Sequence, residues 1–291
     1  MFSIIIPSLN NLDYLKICIN SLEKNSKYNH QILVHVNVGS DGTKEYLKEK
    51  KITYTETNQN VGLCKAVNLI SKKATFDHIM YSHDDFYFCP NWDEAIYREI
   101  RNIKHKNFYL SSTQVNTFQI SDFECGKSYA DFNEKKLLSN INKKEFNDLQ
   151  GSTWAPHLVH KDLWLKVGGF SEEFFPGAGS DPDFALKLWS IGVRIFKMIG
   201  DSKVYHFESK TLRDKQKFIY FSNKDLGSTS SKIFLKKWGI SPNFFRKHYL
   251  RANSIYKEEL KKPNINISYL VENIICKVKL LYIKLFFRNK Y

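Results

Sequence analysis

The chain has 291 residues, of which 42% are hydrophobic and 15% aromatic, and it carries a formal charge of +14. That much apolar side chain excludes global disorder, and the charge points to anionic partners (nucleic acid, phosphorylated substrates or a membrane surface) or to a solvated lysine-rich exterior. Five cysteines scattered without a C-x-x-C pair exclude a disulfide framework or a thiolate zinc site and read as reduced, half-buried thiols of a cytosolic protein.

The N-terminal "MFSIIIPSLN" has only a short apolar run and no basic leader, so it reads as a first strand rather than a signal peptide. "LDYLKICINSL" follows with Leu12, Leu15, Ile19 and Leu22 at helical spacing. "QILVHVNV" is the second strand, closed by the turn "GSDGT"; "KEYLKEK" is a short helix, "ITYTET" a third strand and "GLCKAVNLISKKA" another helix. "FDHIMYS" is the fourth strand. Strands alternating with helices imply an α/β protein with a mostly parallel sheet, in which ligands bind beyond the carboxyl ends of the strands. Ser8, Asn10, the 37–43 turn and Asp84–Asp85 therefore converge on one crevice.

Residues 93–150 carry a helix, the strand "NFYLSST" and a polar stretch over 120–150 that reads as an inserted excursion. From 151 onward, "GSTWAPHLVHKDLWLKVGGFSEEFFPGAGSDPDFALKLW" combines aromatics with Gly and Pro. It describes a long irregular loop and then a helix from about Pro182. No stretch approaches the roughly 18 apolar residues of a membrane span. A cytoplasmic protein is expected, soluble or peripheral at a membrane.

The chemistry-bearing stretch is "YSHDDFYFCPNW" at 81–92, where adjacent Asp84 and Asp85 end a buried strand. Two carboxylates side by side repel, so they mark a solvated turn or a bound cation. No G-x-G-x-x-G follows the first strand, and neither a P-loop nor a G-x-S-x-G is present, which removes the usual dinucleotide, P-loop and serine-hydrolase readings.

Six segments in order resemble the family 2 glycosyltransferases of the GT-A (Rossmann-like) fold over roughly residues 2–210. They are "SIIIPSLNN", "NVGSDGT", "NQNVGLCKAVN", "SHDDFYFCPNW", "GGFSEEFFPGAGSDPDFALKL" and "VYHFES". The resemblance implies a catalytic domain over 1–210, with a nucleotide-sugar half at 1–110 and an acceptor half at 111–210, and a helical extension at 211–291. It implies an inverting transferase that moves a sugar from a nucleotide-diphosphate sugar, UDP-linked by expectation, to a glycan or lipid-linked acceptor in cell-surface glycan biosynthesis.

By the same resemblance Asp85 and His206 hold Mn²⁺ or Mg²⁺, whose charge stabilises the departing diphosphate. Pro7, Ser8, Asn10, Asn37, Asp41, Asn60, Gly62, Lys65, His83 and Asp84 fall on the donor side. His83 takes the ribose position, and Asp41 is the substitute for the acidic residues that Asn37 and Val38 replace. Asp181 stands at the base position, where it also qualifies as a helix N-cap; Trp154, His157, Gly169 and Asp183 fall on the acceptor side.

The tail is basic. "SPNFFRKHYLRAN" opens a helix with Ser241 as its cap, and residues 261–291 hold seven Lys/Arg against one Glu. Wound as a helix, the last segment gathers Leu270, Val271, Ile274, Ile275, Val278, Leu281, Leu285 and Phe286 on one broad face. Such a helix can lie on an anionic membrane or dock on the catalytic domain. A basic nucleic-acid-binding module is the rival class, but no nucleic-acid motif supports it, and nucleic acid is not an expected partner. A fold relative without activity is the other alternative.

Overall fold

The computed structural model describes residues 1–116, 125–126, 128–207, 226–263 and 265–286. The chain begins as read: β1 (Ser3–Ser8), α1 (Leu12–Asn25), β2 (Gln31–Asn37), α2 (Thr43–Glu49), β3 (Thr53–Thr57), α3 (Leu63–Ser71) and β4 (His78–Tyr81). These strands pair in parallel, β2 and β4 flanking β1 and β3 lying outside β2. The Ile4–Ile6 run is fully buried because β1 sits mid-sheet with both faces covered. Helix α1 buries Leu15, Cys18, Ile19 and Leu22, the stripe its periodicity demands.

The second half adds β5 (Phe86–Phe88), α4 (Trp92–Asn102), β6 (Phe108–Gln114), α5 (Glu134–Ile141), β7 (Leu149–Gln150), β8 (His157–His160), α6 (Lys161–Val167), α7 (Ser180–Ser190) and β9 (Ile195–His206). All nine strands form one sheet in the order β3-β2-β1-β4-β8-β6-β9-β5, with β7 on β9. The expected parallel sheet holds in the first half; the second is mixed, with antiparallel β4/β8, β6/β8, β5/β9 and β7/β9 pairs. The chain leaves β1 toward β2 and β3 and returns to β4 on the other side, so a switch point opens beyond the ends of β1 and β4.

Part of the 120–150 excursion lies outside the described residues, but α5 is packed rather than loose: Leu137 and Ile141 join Tyr14, Tyr87 and Phe207 in a second apolar cluster. All five cysteines are free and fully buried, where the sequence suggested half-buried thiols. Helix α7 begins at Ser180, two residues before the expected Pro182.

Helix α8 (Leu226–Trp238) and the short α9 (Pro242–Phe244) follow; α9 runs into a π turn over Phe245–Tyr249, and α10 spans Ile267–Phe286. Ser241 caps α9 as expected, its Oγ accepting the Phe244 N–H at 3.1 Å. Among the described residues, no helix is long and apolar enough to cross a membrane.

Candidate active site

The turn after β4 reverses direction through Ser82–Asp85 and enters β5, whose antiparallel pairing with β9 sets Phe86 opposite His206. The Phe207 N–H donates to the Asp85 carbonyl at 3.0 Å and locks this register. Two distant segments thus meet at one point, with His206 Nε2 3.3 Å from Asp85 Oδ1. His83 Nδ1 lies 3.8 Å from the same oxygen. Ligand atoms of His83, Asp85 and His206 all fall within 4.8 Å of one another.

His206 is held from behind. Its Nδ1 meets Gln114 Oε1 at 3.2 Å, while the Asn116 side-chain amide accepts the His206 N–H at 3.0 Å and donates to its carbonyl at 2.7 Å. With Nδ1–H given to Gln114, the Nε2 lone pair is turned toward Asp85, and this nitrogen is buried with no hydrogen-bond partner. His83 stacks on Phe86, with ring centroids 5.1 Å apart. Burial lowers its pKa to about 4, against the pull of Asp85, so its ring is neutral at pH 7. One carboxylate and two neutral-capable imidazoles, one of them a buried nitrogen with nothing to bond, fit a divalent cation.

This adds His83 to the pair the sequence gathered and moves it from a ribose contact toward the cation cluster. Gln114 and Asn116 went unread, because a strand-end amide carries no signal until its partner strand is known.

On the nucleotide side, Ser8 is buried at the end of β1, its Oγ without a hydrogen-bond partner, and Pro7 precedes it. Asn37 accepts the Val61 N–H at 3.0 Å and donates to Asn60 Oδ1 at 2.9 Å; the latter also accepts the Gly62 N–H at 2.9 Å. Asn60 Nδ2 is left buried and without a partner. Val38, in the same turn, has φ +74, a costly conformation for a β-branched residue.

Asn10 Oδ1 accepts the Ser40 N–H at 2.9 Å and ties the first turn to the second. Asp41 is committed elsewhere: it accepts the Leu12 N–H at 2.9 Å, so it caps α1, and the Thr43 hydroxyl at 2.6 Å. Its reading as a free base-binding carboxylate has no support in these contacts. Gly62 has φ +79, and a Cβ there would sit 2.6 Å from the Phe175 ring, so it serves a close approach of α3 to the 174–177 loop. Lys65 is exposed on α3, and Asp84 is buried, as Asp85 is.

On the acceptor side, Asp181 lies in the first turn of α7. The N-cap is Gly179, with no side-chain capping bond, so the capping alternative for Asp181 does not hold. Its Oδ1 is buried with no hydrogen-bond partner, and desolvation raises its pKa to about 7. Desolvation first, and then the charges of Asp181, Asp85 and Asp84 among others, push the buried Tyr81 hydroxyl well above the usual phenol range.

Three other acceptor-side residues are internal in this structure. Asp183 is fully buried, accepting from Ser171 Oγ at 2.6 Å and Trp238 Nε1 at 2.7 Å, with Lys237 Nζ at 2.9 Å. His157 is buried among Tyr81, Tyr109 and Phe184, and desolvation lowers its pKa to about 3. Gly169 has φ +64 and abuts Asn68, which accepts the Phe170 N–H at 2.9 Å and donates to its carbonyl at 2.8 Å. Only Trp154 is open, 38% exposed, with the Arg246 guanidinium 5.1 Å from its ring centroid.

Known structures share this arrangement of elements. A crystal structure of S. aureus TarS 1–349 in complex with UDP-GlcNAc aligns at TM-score 0.57 with 12% identity, covering 98% of this chain and 73% of that one. TarS 1–349 without that ligand gives 0.53 and 16% over 80% and 69%. GalNAc-T7 with UDP, GalNAc and Mn²⁺ gives 0.53 and 14% over 71% and 43%. At these identities the likeness concerns the fold. No curated protein matches the chain. The model of Glycosyl transferase family 2 matches residues 3–162, more than half of the sequence and all of the nucleotide-side crevice. The chain belongs to glycosyl transferase family 2.

Proposed function

We propose that the protein is an inverting, metal-dependent glycosyltransferase that moves a sugar from a nucleotide-diphosphate sugar, UDP-linked, to an acceptor hydroxyl in cell-surface glycan synthesis. The observation that carries this reading is the His83–Asp85–His206 cluster, accompanied by a buried Asp181 carboxyl raised to about 7. Neighbours of the same fold hold UDP, UDP-GlcNAc or Mn²⁺, which favours a nucleotide-sugar donor here.

Asp85, His206 and His83 are the residues that would hold the cation, and two imidazoles beside one carboxylate favour Mn²⁺ over Mg²⁺. When bound, the cation offsets the negative charge that develops on the leaving diphosphate. Gln114 keeps the His206 ring in the tautomer this requires. Asn37 and Val38 stand where acidic residues would read the base; the Asn60 Nδ2 donor, buried without a partner, suits a base carbonyl oxygen. Pro7, Ser8, Asn10 and Asp84 line the donor side, with Gly62 shaping it and Lys65 at its rim.

Asp181 takes the proton of the acceptor hydroxyl as that oxygen attacks the anomeric carbon from the face opposite the diphosphate, which inverts the centre. A carboxyl titrating near 7 is matched to this work at neutral pH, because about half of it is ionised and the ionised form is basic enough to hold the proton. Trp154 offers an exposed ring for a sugar face. A donor-hydrolysis screen with UDP-, GDP-, dTDP- and CMP-sugars in Mn²⁺ tests the reading: hydrolysis of a UDP-sugar is expected, and inertness toward all four classes would defeat it.

A further inference from the structure

Helix α10 meets the rest of the chain through a narrow stripe. Tyr269, Cys276, Leu280 and Ile283 pack against Leu235, Ile240, Phe244 and Tyr249 of the α8–α9 region. Glu272 lies on the same side, paired with Lys247 and accepting from His248 Nε2 at 2.9 Å. The broad apolar face is turned the other way. Ile267, Ile274, Val278, Leu281, Leu285 and Phe286 are 58–81% exposed.

At about 100° per residue these side chains, with their apolar neighbours, sweep roughly 160° of the helix circumference. Exposed Lys277 and Lys284 border that arc on one side and Lys279 on the other. Contiguous apolar surface of this extent on a folded chain marks an interaction site.

We propose that the outward face of α10 lies in the headgroup–acyl boundary of an anionic bilayer, with Lys277, Lys279 and Lys284 reaching lipid phosphates. The charge pattern selects this occupant. A second copy of the helix would bury a narrow seam rather than so broad an arc. It would also set lysine against lysine, because Glu272 is the only acid of α10 and is already engaged on the inner side. A lipid surface supplies both what the arc lacks, an apolar medium and flanking negative charge. The helix lies in the surface and does not cross it.

Helix α8 carries this placement to the crevice. One side of it receives α10; from the other, Lys237 Nζ donates to Ser171 Oγ at 2.7 Å and Glu173 Oε1 at 2.8 Å, and Trp238 Nε1 reaches Asp183 at 2.7 Å. Asp183 is on α7, two residues from Asp181. The lipid-facing helix is therefore clamped to the acceptor half, and the acceptor class that suits it is a glycan anchored in the bilayer. This last step rests on the proposed transferase reading; the lipid docking does not.

Flotation of the full chain with phosphatidylglycerol–phosphatidylethanolamine vesicles, against phosphatidylcholine vesicles, tests the docking without any donor or acceptor. The wild type is expected to float with the anionic vesicles at low salt. Ile274→Glu with Val278→Glu is expected to weaken binding by about tenfold or more, with melting temperature and donor hydrolysis unchanged. Lys277→Gln, Lys279→Gln and Lys284→Gln each cost about fivefold. Absence of wild-type flotation overturns the proposal, as does a dimer in sedimentation that the Ile274→Glu/Val278→Glu variant dissociates. A chain that floats but hydrolyses no donor would sustain the docking and defeat only the transferase reading.

Discussion

His206 Nε2 faces Asp85 Oδ1 at 3.3 Å, brought there by the β5–β9 register that sets Phe86 opposite His206. The nitrogen is buried and makes no hydrogen bond, which is costly for a polar atom unless something else occupies its lone pair. A cation shared with Asp85 and His83 satisfies that lone pair and the carboxylate together.

The cluster's dependence on support from behind gives the first prediction. Gln114→Ala removes the acceptor that fixes the His206 ring and is expected to weaken Mn²⁺ affinity by about 10–100-fold, the usual cost of losing such a partner. His83→Ala should weaken it too, and His83→Asp should restore binding and shift preference toward Mg²⁺, because a hard oxygen replaces an imidazole. Titration calorimetry with both ions reads these outcomes; unchanged Mn²⁺ affinity in His83→Ala would remove His83 from the cluster.

Asp181 links activity to stability. Burial holds its folded pKa near 7, whereas an unfolded Asp titrates near 3.9. The folded chain therefore keeps a proton that the unfolded chain has released. Stability from this group is full below about pH 4 and declines as pH rises through 7. Asp181→Asn cannot ionise, so it is expected to melt several degrees above wild type at pH 8 and equal to it near pH 4. Its transfer rate should fall by about 10²–10⁴. The wild-type rate should climb with pH through 7. A variant with normal turnover would remove Asp181 as the base.

Asp183 behaves oppositely. Both its oxygens are occupied, and Lys237 keeps only Glu173 as a counter-charge when Asp183 is neutralised. Asp183→Asn should cost about 2–3 kcal/mol, less than a fully buried pair because Lys237 is partly exposed. The chemical step should be nearly normal in the protein that remains folded. Urea unfolding beside turnover separates the two effects.

Much of this was legible in the sequence, and what was not has a common cause. The Ile4–Ile6 run, the Leu12–Leu22 periodicity and the turn residues between strands are local signals, so the parallel half of the sheet, with β4 beside β1, follows from them. Asp41, Asp183, His157 and Gly169 were set by partners far along the chain: Leu12, Trp238, Tyr109 and Asn68. A motif slot names a residue type but not whether a distant donor has already claimed its oxygens. His83 shows the converse, a ligand geometry that appears only once β9 delivers His206. In α10 the apolar arc was plain, but which side faces the protein depends on Cys276 and Ile283, the minority stripe.

The most direct test of the central claim is equilibrium binding of a UDP-sugar to wild type and Asp85→Ala, each with Mn²⁺ and with EDTA. Asp85 carries the one carboxylate of the cluster, so its removal should abolish metal-dependent affinity while the melting temperature stays close to wild type. Tight binding by wild type in Mn²⁺ alone, lost in EDTA and in the variant, is the predicted result. Equal affinity in EDTA, or in Asp85→Ala, would contradict a metal-dependent donor site built on Asp85 and His206.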